Sequence, residues 1–208
     1  MAAGCTPVKS GQKGPILEVK AFVLAGGKSL RMGRDKAFVL WDGRTLLERA
    51  VALAKQVAGN VRIVGSKGKY ESYGEVLEDV YPDRGPLGGI HAALSVTSEE
   101  FNLILGVDLP FMTPGLLEYL IEQARETKAL VAVPRFVEGW QPLCAVYRKA
   151  FVNSAEVALI SGQNAVHSLL ERTECRVLDE SELGKAGFSR AMFRNINTVE
   201  DLANSSIA

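Results

Sequence analysis

The chain has 208 residues, 47% hydrophobic and 23% charged, the balance of an ordinary soluble globular protein with room for one substantial core. Lys+Arg and Asp+Glu both number 24, so no global field selects nucleic acid or an anionic membrane as partner. No apolar run reaches the ~20 residues that span a bilayer, and three widely spaced cysteines (Cys5, Cys144, Cys175) form neither a disulfide framework nor a zinc site, which fits a reducing cytoplasm.

Residues 1–14 are polar and glycine-rich, without the apolar stretch of a secretory signal, and read as a disordered lead-in to one domain over 15–208. Val19 to Leu24 is a β-branched, apolar run suited to a buried parallel strand. Thr45 to Ala58 has helical spacing, with Thr45 as N-cap and Glu48 completing a capping box. Val61 to Val64 and Val76 to Glu78 read as short strands, and Leu87 to Val96 as a helix opened by Gly85-Pro86-Leu87-Gly88-Gly89. Leu103 to Val107 reads as a central strand, Thr113 to Thr127 as a helix, and Leu130 to Val133 and Leu143 to Tyr147 as strands. Val152 to Ile160 and Ala165 to Glu171 are helical, Arg176 to Leu178 is a strand, and Thr198 with Asp201 caps a last short helix. Strands separated by such helices form βαβ units with right-handed crossovers. The expected fold is α/β: a three-layer αβα, Rossmann-like arrangement around a mostly parallel sheet.

Ligands of such sheets bind beyond the strand carboxyl ends, where the winding direction reverses. Three features fall at predicted strand ends: the Gly26-Gly27 loop, Asp79 and Asp108. Gly26 and Gly27 follow Leu24-Ala25, and Lys28, Arg31, Arg34 and Lys36 come within nine residues. Backbone N–H groups in such a turn form an anion nest, and the cations neutralise a polyphosphate. It is not a Walker A loop, whose first glycine would fall on Phe22, nor a G-x-G-x-x-G dinucleotide loop. Lys36 is the best catalytic cation, since Gly33 permits a turn that brings it back over the phosphates; Lys28 and Arg34 are equally readable as solvated charges. Asp108, ahead of Pro110, suits Mg²⁺ beside phosphates; its alternative role as a helix cap falls better to Thr113. The glycines from Gly85 to Gly89 give a second flexible backbone approach at a helix N-terminus, or simply a tight loop. Gln141, Asn195 and Asn197 line a second substrate's pocket or serve as turn and cap residues. His91 and His167 lack metal-ligand or triad partners and read as structural.

Taken in order, Leu24-Ala25-Gly26-Gly27-Lys28-Ser29-x-Arg31-Met32-Gly33-x-Asp35-Lys36, Gly85-Pro86-Leu87-Gly88-Gly89, Asp108-x-Pro110, Gln141-Pro142-Leu143 and Asn195-x-Asn197-Thr198 resemble the molybdenum cofactor guanylyltransferases, from about Val19 to Leu202. The resemblance implies a nucleotidyltransferase fold and an Mg²⁺-dependent transfer of GMP from GTP to molybdopterin. By it, Leu24, Ala25, Gly26 and Gly27 hold GTP through the backbone, with Gly85 and Gly89 nearby. Lys36 and Arg31 act on the phosphates, Asp79 contacts the nucleotide, and Asp108 holds Mg²⁺. Gln141, Asn195 and Asn197 serve the pterin side. Its implied partners are GTP and molybdopterin, with transient contact to molybdoenzyme maturation proteins, and neither nucleic acid nor membrane. One departure stands out: where some members carry a nucleotide-contacting asparagine, this chain has Val64-Gly65-Ser66. Rival readings are a cytidylyltransferase of the same cofactor, a sugar-phosphate nucleotidylyltransferase, and a non-catalytic nucleotide-binding regulator. The Gly-Gly-Lys form of the loop favours guanylyl over the Ala-Ala-Gly-Arg of cytidylyl relatives, and Lys36 with Asp108 favours catalysis.

Overall fold

Period-two burial decides the architecture. In β1 (Ile16–Leu24), Val19, Ala21 and Val23 enter one apolar cluster, while Phe22 and Leu24 enter another. A strand buried on both faces needs a layer of helices on each. The computed structural model describes residues 16–26 and 35–196. A 3-10 turn (Lys36–Phe38; others span Glu71–Tyr73 and Arg190–Phe193) and a hairpin of β2 (Leu40–Trp41) and β3 (Arg44–Thr45) follow. Next come α1 (Leu46–Val57), β4 (Ala58–Val64), α2 (Lys67–Tyr70), β5 (Val76–Leu77), α3 (Gly85–Val96), β6 (Phe101–Gly106) and α4 (Pro114–Arg125). The chain continues through β7 (Val131–Phe136), β8 (Gly139–Trp140), β9 (Cys144–Arg148), α5 (Phe151–Ile160), α6 (Val166–Leu170), β10 (Cys175–Asp179) and α7 (Glu180–Lys185).

The main sheet has the order β10-β7-β9-β6-β1-β4-β5, with β8 paired to β7. Its neighbours are parallel, except that β9 runs antiparallel between β6 and β7 and β8 folds back on β7. The mostly parallel αβα arrangement is the one expected from the sequence. Leu103, Leu105, Ala132, Cys144 and Val146 join Ala21 and Val23 beneath α1 and α4. Ile104, Val131, Val133, Ala145 and Tyr147 join Phe22 and Leu24 beneath α3, α5 and α6.

Both long helices of the first face start as their sequences dictate. Thr45 Oγ1 accepts from Glu48 N at 3.1 Å while Glu48 Oε2 accepts from Thr45 N at 2.7 Å, a complete capping box. Thr113 Oγ1 accepts from Leu116 N ahead of Pro114, which leaves Asp108 without a capping duty on α4. Several short elements were not expected: the hairpin, α2, β8, α7 and the 3-10 turns. The hairpin turn is Asp42-Gly43, both at positive φ (49° and 75°), as a two-residue loop of this twist requires. The predicted helix after Thr198 lies outside the described residues. Among the described residues no helix is long and apolar enough to cross a membrane.

From β1 the chain winds through α1 to β4 and β5, then crosses by α3 to β6 on the other side of β1. The winding reverses between β1 and β6, and ligands of such sheets bind in the crevice beyond the strand carboxyl ends at such a point.

Candidate active site

Two strand ends meet at the reversal. Leu24 pairs with Gly106 in register, and Val107 N donates to Leu24 O at 3.4 Å. Ala25 is still held by β4 through its N–H to Val64 O at 3.0 Å, and Gly26 is the first exposed residue. Gly27 and Arg31, with Lys28, Gly33 and Arg34, lie outside the described residues. The Asp35 carboxylate accepts from Ala37 N at 3.1 Å and caps the 3-10 turn that begins with Lys36.

Lys36 and Asp108 face each other across the cleft, Nζ to Oδ2 at 3.6 Å, with side chains 20% and 23% exposed. Neither is a solvated surface charge. Asp108 is aimed by its neighbours. A Cβ on Gly106 would come within 2.8 Å of Asp108 Oδ1, so only glycine lets the carboxylate fold back over the end of β6. Its backbone carbonyl accepts from Ile196 N at 3.0 Å, which seats exposed Asn195 beside the pair. Asn197 is outside the described residues. Because β9 is antiparallel, its leading loop, Gln141-Pro142-Leu143, reaches the same edge, and Gly106 N donates to Leu143 O at 2.8 Å.

On the other flank, Asp79 follows β5. It is half-buried, its Oδ1 has no hydrogen-bond partner among the described residues, and burial holds its carboxyl above the ordinary carboxylate range. The segment Gly85–Gly89 differs from the flexible loop expected of it, because it is the first turn and a half of α3. Gly85 has φ +63°, and a Cβ on Gly88 would meet Tyr81 O at 2.8 Å. A Cβ on Gly89 would meet Leu24 Cδ2 at 3.1 Å. Those glycines bring the helix close against the end of β1, so Gly89 is a packing residue and the helix start, with Gly85, flanks the cleft. His91 is buried on α3 against Tyr81 and Ser95, and burial lowers its pKa, in keeping with a structural role.

Residues that carry no motif also shape the site. Phe111 packs edge-on against Trp41 at 5.1 Å, with Arg49 stacked on Trp41 at 4.1 Å and Arg194 on Phe111 at 5.1 Å. This ladder ties the hairpin, the loop after Asp108 and the segment carrying Asn195 into one wall. Tyr70 and Lys69 on α2 contact Asp35. No periodicity announces either contact; the signal for the hairpin was the Asp42-Gly43 pair. Cys144 and Cys175 are unpaired, and burial raises their thiols to about 12 and about 11, so neither is a nucleophile.

Lys36, on the turn before the hairpin, thus meets Asp108, just past β6, beside the winding reversal of a mostly parallel αβα sheet, an arrangement compatible with a nucleotidyltransferase. Comparison with known proteins agrees. Residues 21–177 match the model of the MobA-like NTP transferase domain. The molybdenum cofactor guanylyltransferase of Desulfosudis oleivorans is 33% identical over 193 residues, which cover 91% of this chain and 95% of that protein. The crystal structure of molybdopterin-guanine dinucleotide biosynthesis protein A from Archaeoglobus fulgidus superposes with TM-score 0.77 at 26% identity, covering 89% of this chain and 96% of that one. A 2-C-methyl-D-erythritol 4-phosphate cytidylyltransferase from Thermus thermophilus shares the fold alone, with TM-score 0.62 at 17% identity over 88% of this chain and 95% of that one. The chain belongs to the MobA-like NTP transferases and, within them, to the molybdenum cofactor guanylyltransferase family.

Proposed function

We propose that the protein transfers GMP from GTP to molybdopterin, forming the guanine dinucleotide cofactor and releasing pyrophosphate. The observation that carries the reading is the pairing of Lys36, on its 3-10 turn, with Asp108, two residues past the carboxyl end of β6. In the reaction the terminal phosphate of molybdopterin attacks the α-phosphorus of GTP in line, and the bond to the pyrophosphate oxygen breaks. The nucleophile is already an anion, so little proton transfer is needed, and positioning with charge neutralisation carries the rate. Lys36 supplies fixed positive charge where two anions are brought together. The backbone from Leu24 to Gly26 lies beside it, and Asp79, with an unpartnered buried oxygen, accepts from the nucleotide.

Mg²⁺ fits this donor set. Among the described residues no three His, Cys, Asp or Glu groups form a cage of their own. Mg²⁺ typically takes one or two carboxylates and completes its shell with water and phosphate oxygens, and Asp108 is a partly exposed carboxylate of that kind. Bound there, the ion would neutralise charge on the triphosphate.

Gln141 and Asn195 would serve the acceptor pterin; the support is that Ile196, next to Asn195, is hydrogen-bonded to the Asp108 carbonyl and that Leu143, in the loop with Gln141, accepts from Gly106. The test is GTP-dependent conversion of molybdopterin with pyrophosphate release, run with CTP and ATP as competitors. The expected result is turnover with GTP that the other nucleotides scarcely inhibit. Turnover preferring CTP would overturn the guanylyl assignment, and nucleotide binding without pyrophosphate release would leave a non-catalytic binder.

A further inference from the structure

Tyr70 stands at the last position of α2, with its ring against the end of β4. A Cβ on Gly65 would lie 2.7 Å from Tyr70 Cε2, so glycine at that position lets the ring in. Phe38, the last residue of the turn that begins with Lys36, packs on the same ring with centroids 5.7 Å apart. A phenylalanine would make both of these contacts equally well. The hydroxyl does something else. It lies 2.8 Å from Ala25 O and 2.7 Å from Asp35 Oδ2, so its one proton is shared between acceptors on two separate stretches of chain. Burial, then the Asp35 carboxylate, keep the phenol protonated far above its ordinary range, so it remains a donor at any working pH. Asp35 in turn accepts from Lys69 Nζ at 3.2 Å and, through Oδ1, from Ala37 N.

We propose that Tyr70 is a positioning residue: its hydroxyl clamps the carbonyl at the exit of β1 to the carboxylate that caps the Lys36 turn, and thereby fixes Lys36 relative to Asp108. In the sequence, Ala25 and Asp35 bracket the glycine loop. Without the bridge, the Lys36 turn is tied to the sheet less directly, and the cation loses its aim. Tyr70 itself touches no substrate. The inference rests on the reading of Lys36 as the phosphate contact.

The test is a double-mutant cycle on the full chain: wild type, Tyr70→Phe, Lys36→Ala and the double variant. The readouts are MgGTP affinity by calorimetry, kcat/KM for pyrophosphate release, and melting temperature. Tyr70→Phe keeps the ring packing, so it should melt close to wild type while kcat/KM falls about 10- to 100-fold, as misplacement of a positioned group does. In the Lys36→Ala background the same substitution should cost no more than about twofold, because its effect passes through Lys36. Asp35→Asn, which weakens the other side of the bridge, should show the same dependence and serves if Tyr70→Phe does not fold. Losses that are additive in the two backgrounds, or a Tyr70→Phe protein as active as wild type, would overturn the clamp. A wild-type chain that binds no MgGTP would instead remove the nucleotide reading beneath it.

Discussion

Gly106→Ala is the sharpest perturbation the site offers, because it adds one methyl group and removes no polar atom. The new Cβ would lie 2.8 Å from Asp108 Oδ1 and 3.2 Å from Leu143 Cβ, where ordinary contact begins at 3.4 Å. The carboxylate must therefore retreat by about 0.6 Å, and Leu143 Cβ by about 0.2 Å, at a packing cost of about 1 kcal/mol. The φ at Gly106 is not in the left-handed region, so the backbone itself tolerates alanine. A displacement of about 0.6 Å at a group that contacts Lys36, and that would hold Mg²⁺ in the proposed reaction, predicts a fall in turnover of about 10-fold. The assay is the initial rate of pyrophosphate release against magnesium concentration, with a melting curve on the same sample. The expected signature is a raised magnesium requirement in a protein that still unfolds cooperatively. Gly184→Ala, where nothing lies within 4 Å of the added Cβ, is the control and should leave the rate unchanged. A Gly106→Ala enzyme with wild-type rate and wild-type magnesium dependence would refute the reasoning.

Lys36→Ala and Asp108→Ala should each keep native circular dichroism and lose about 10²–10³ in turnover, as removal of preorganised charge does; an unfolded Asp108→Ala would make that residue structural. Asp79→Asn should weaken GTP binding yet stabilise the free protein at neutral pH. Burial raises the Asp79 pKa above its ordinary 3.8, so ionisation costs the folded state stability as pH climbs through that range. The stability gap between variant and wild type should therefore widen from acid to neutral pH, and a gap indifferent to pH would count against it. Thr45→Ala should cost about 1 kcal/mol in a denaturant titration through loss of the cap. Glu48, whose pKa is held below 4.5 by the Thr45 backbone N–H and then its hydroxyl, contributes fully above that pH and progressively less below it. Glu48→Gln should accordingly be destabilising at neutral pH and nearly silent in strong acid. Cys144, fully buried with its thiol raised to about 12, should resist alkylation until the protein is unfolded.

What was legible in the sequence was whatever depends on local pattern. The alternation Ala21-Phe22-Val23-Leu24, the Thr45–Glu48 box and Thr113-Pro114 each fix an element without help from distant residues. Asp108 was legible because a buried strand that runs out into a carboxylate just before Pro110 delivers that charge to the cleft rim. Gly85–Gly89 misled because glycines read as freedom in a linear pattern, whereas here they buy proximity: Gly88 to Tyr81 O and Gly89 to Leu24. Tyr70 was invisible for a different reason. Its hydroxyl partners are 45 and 35 residues away, and no spacing rule connects an aromatic in a four-residue helix to the caps of another segment. The Trp41–Phe111 contact, with Arg49 and Arg194 on either side, is likewise a product of tertiary placement alone.

The reversal of β9 between β6 and β7 has a lasting consequence for how this enzyme class can diversify. In a wholly parallel sheet only segments that follow strands reach the cleft rim. With β9 running backwards beside β6, the stretch from Phe136 to Leu143 meets that rim as one uninterrupted connection. One half of the rim is thus scattered over strand exits locked into the sheet, while the other is a contiguous cassette with Val137 almost wholly exposed at its bend. Under the proposed function, exchange of that cassette would alter the acceptor side without touching Lys36 or Asp108.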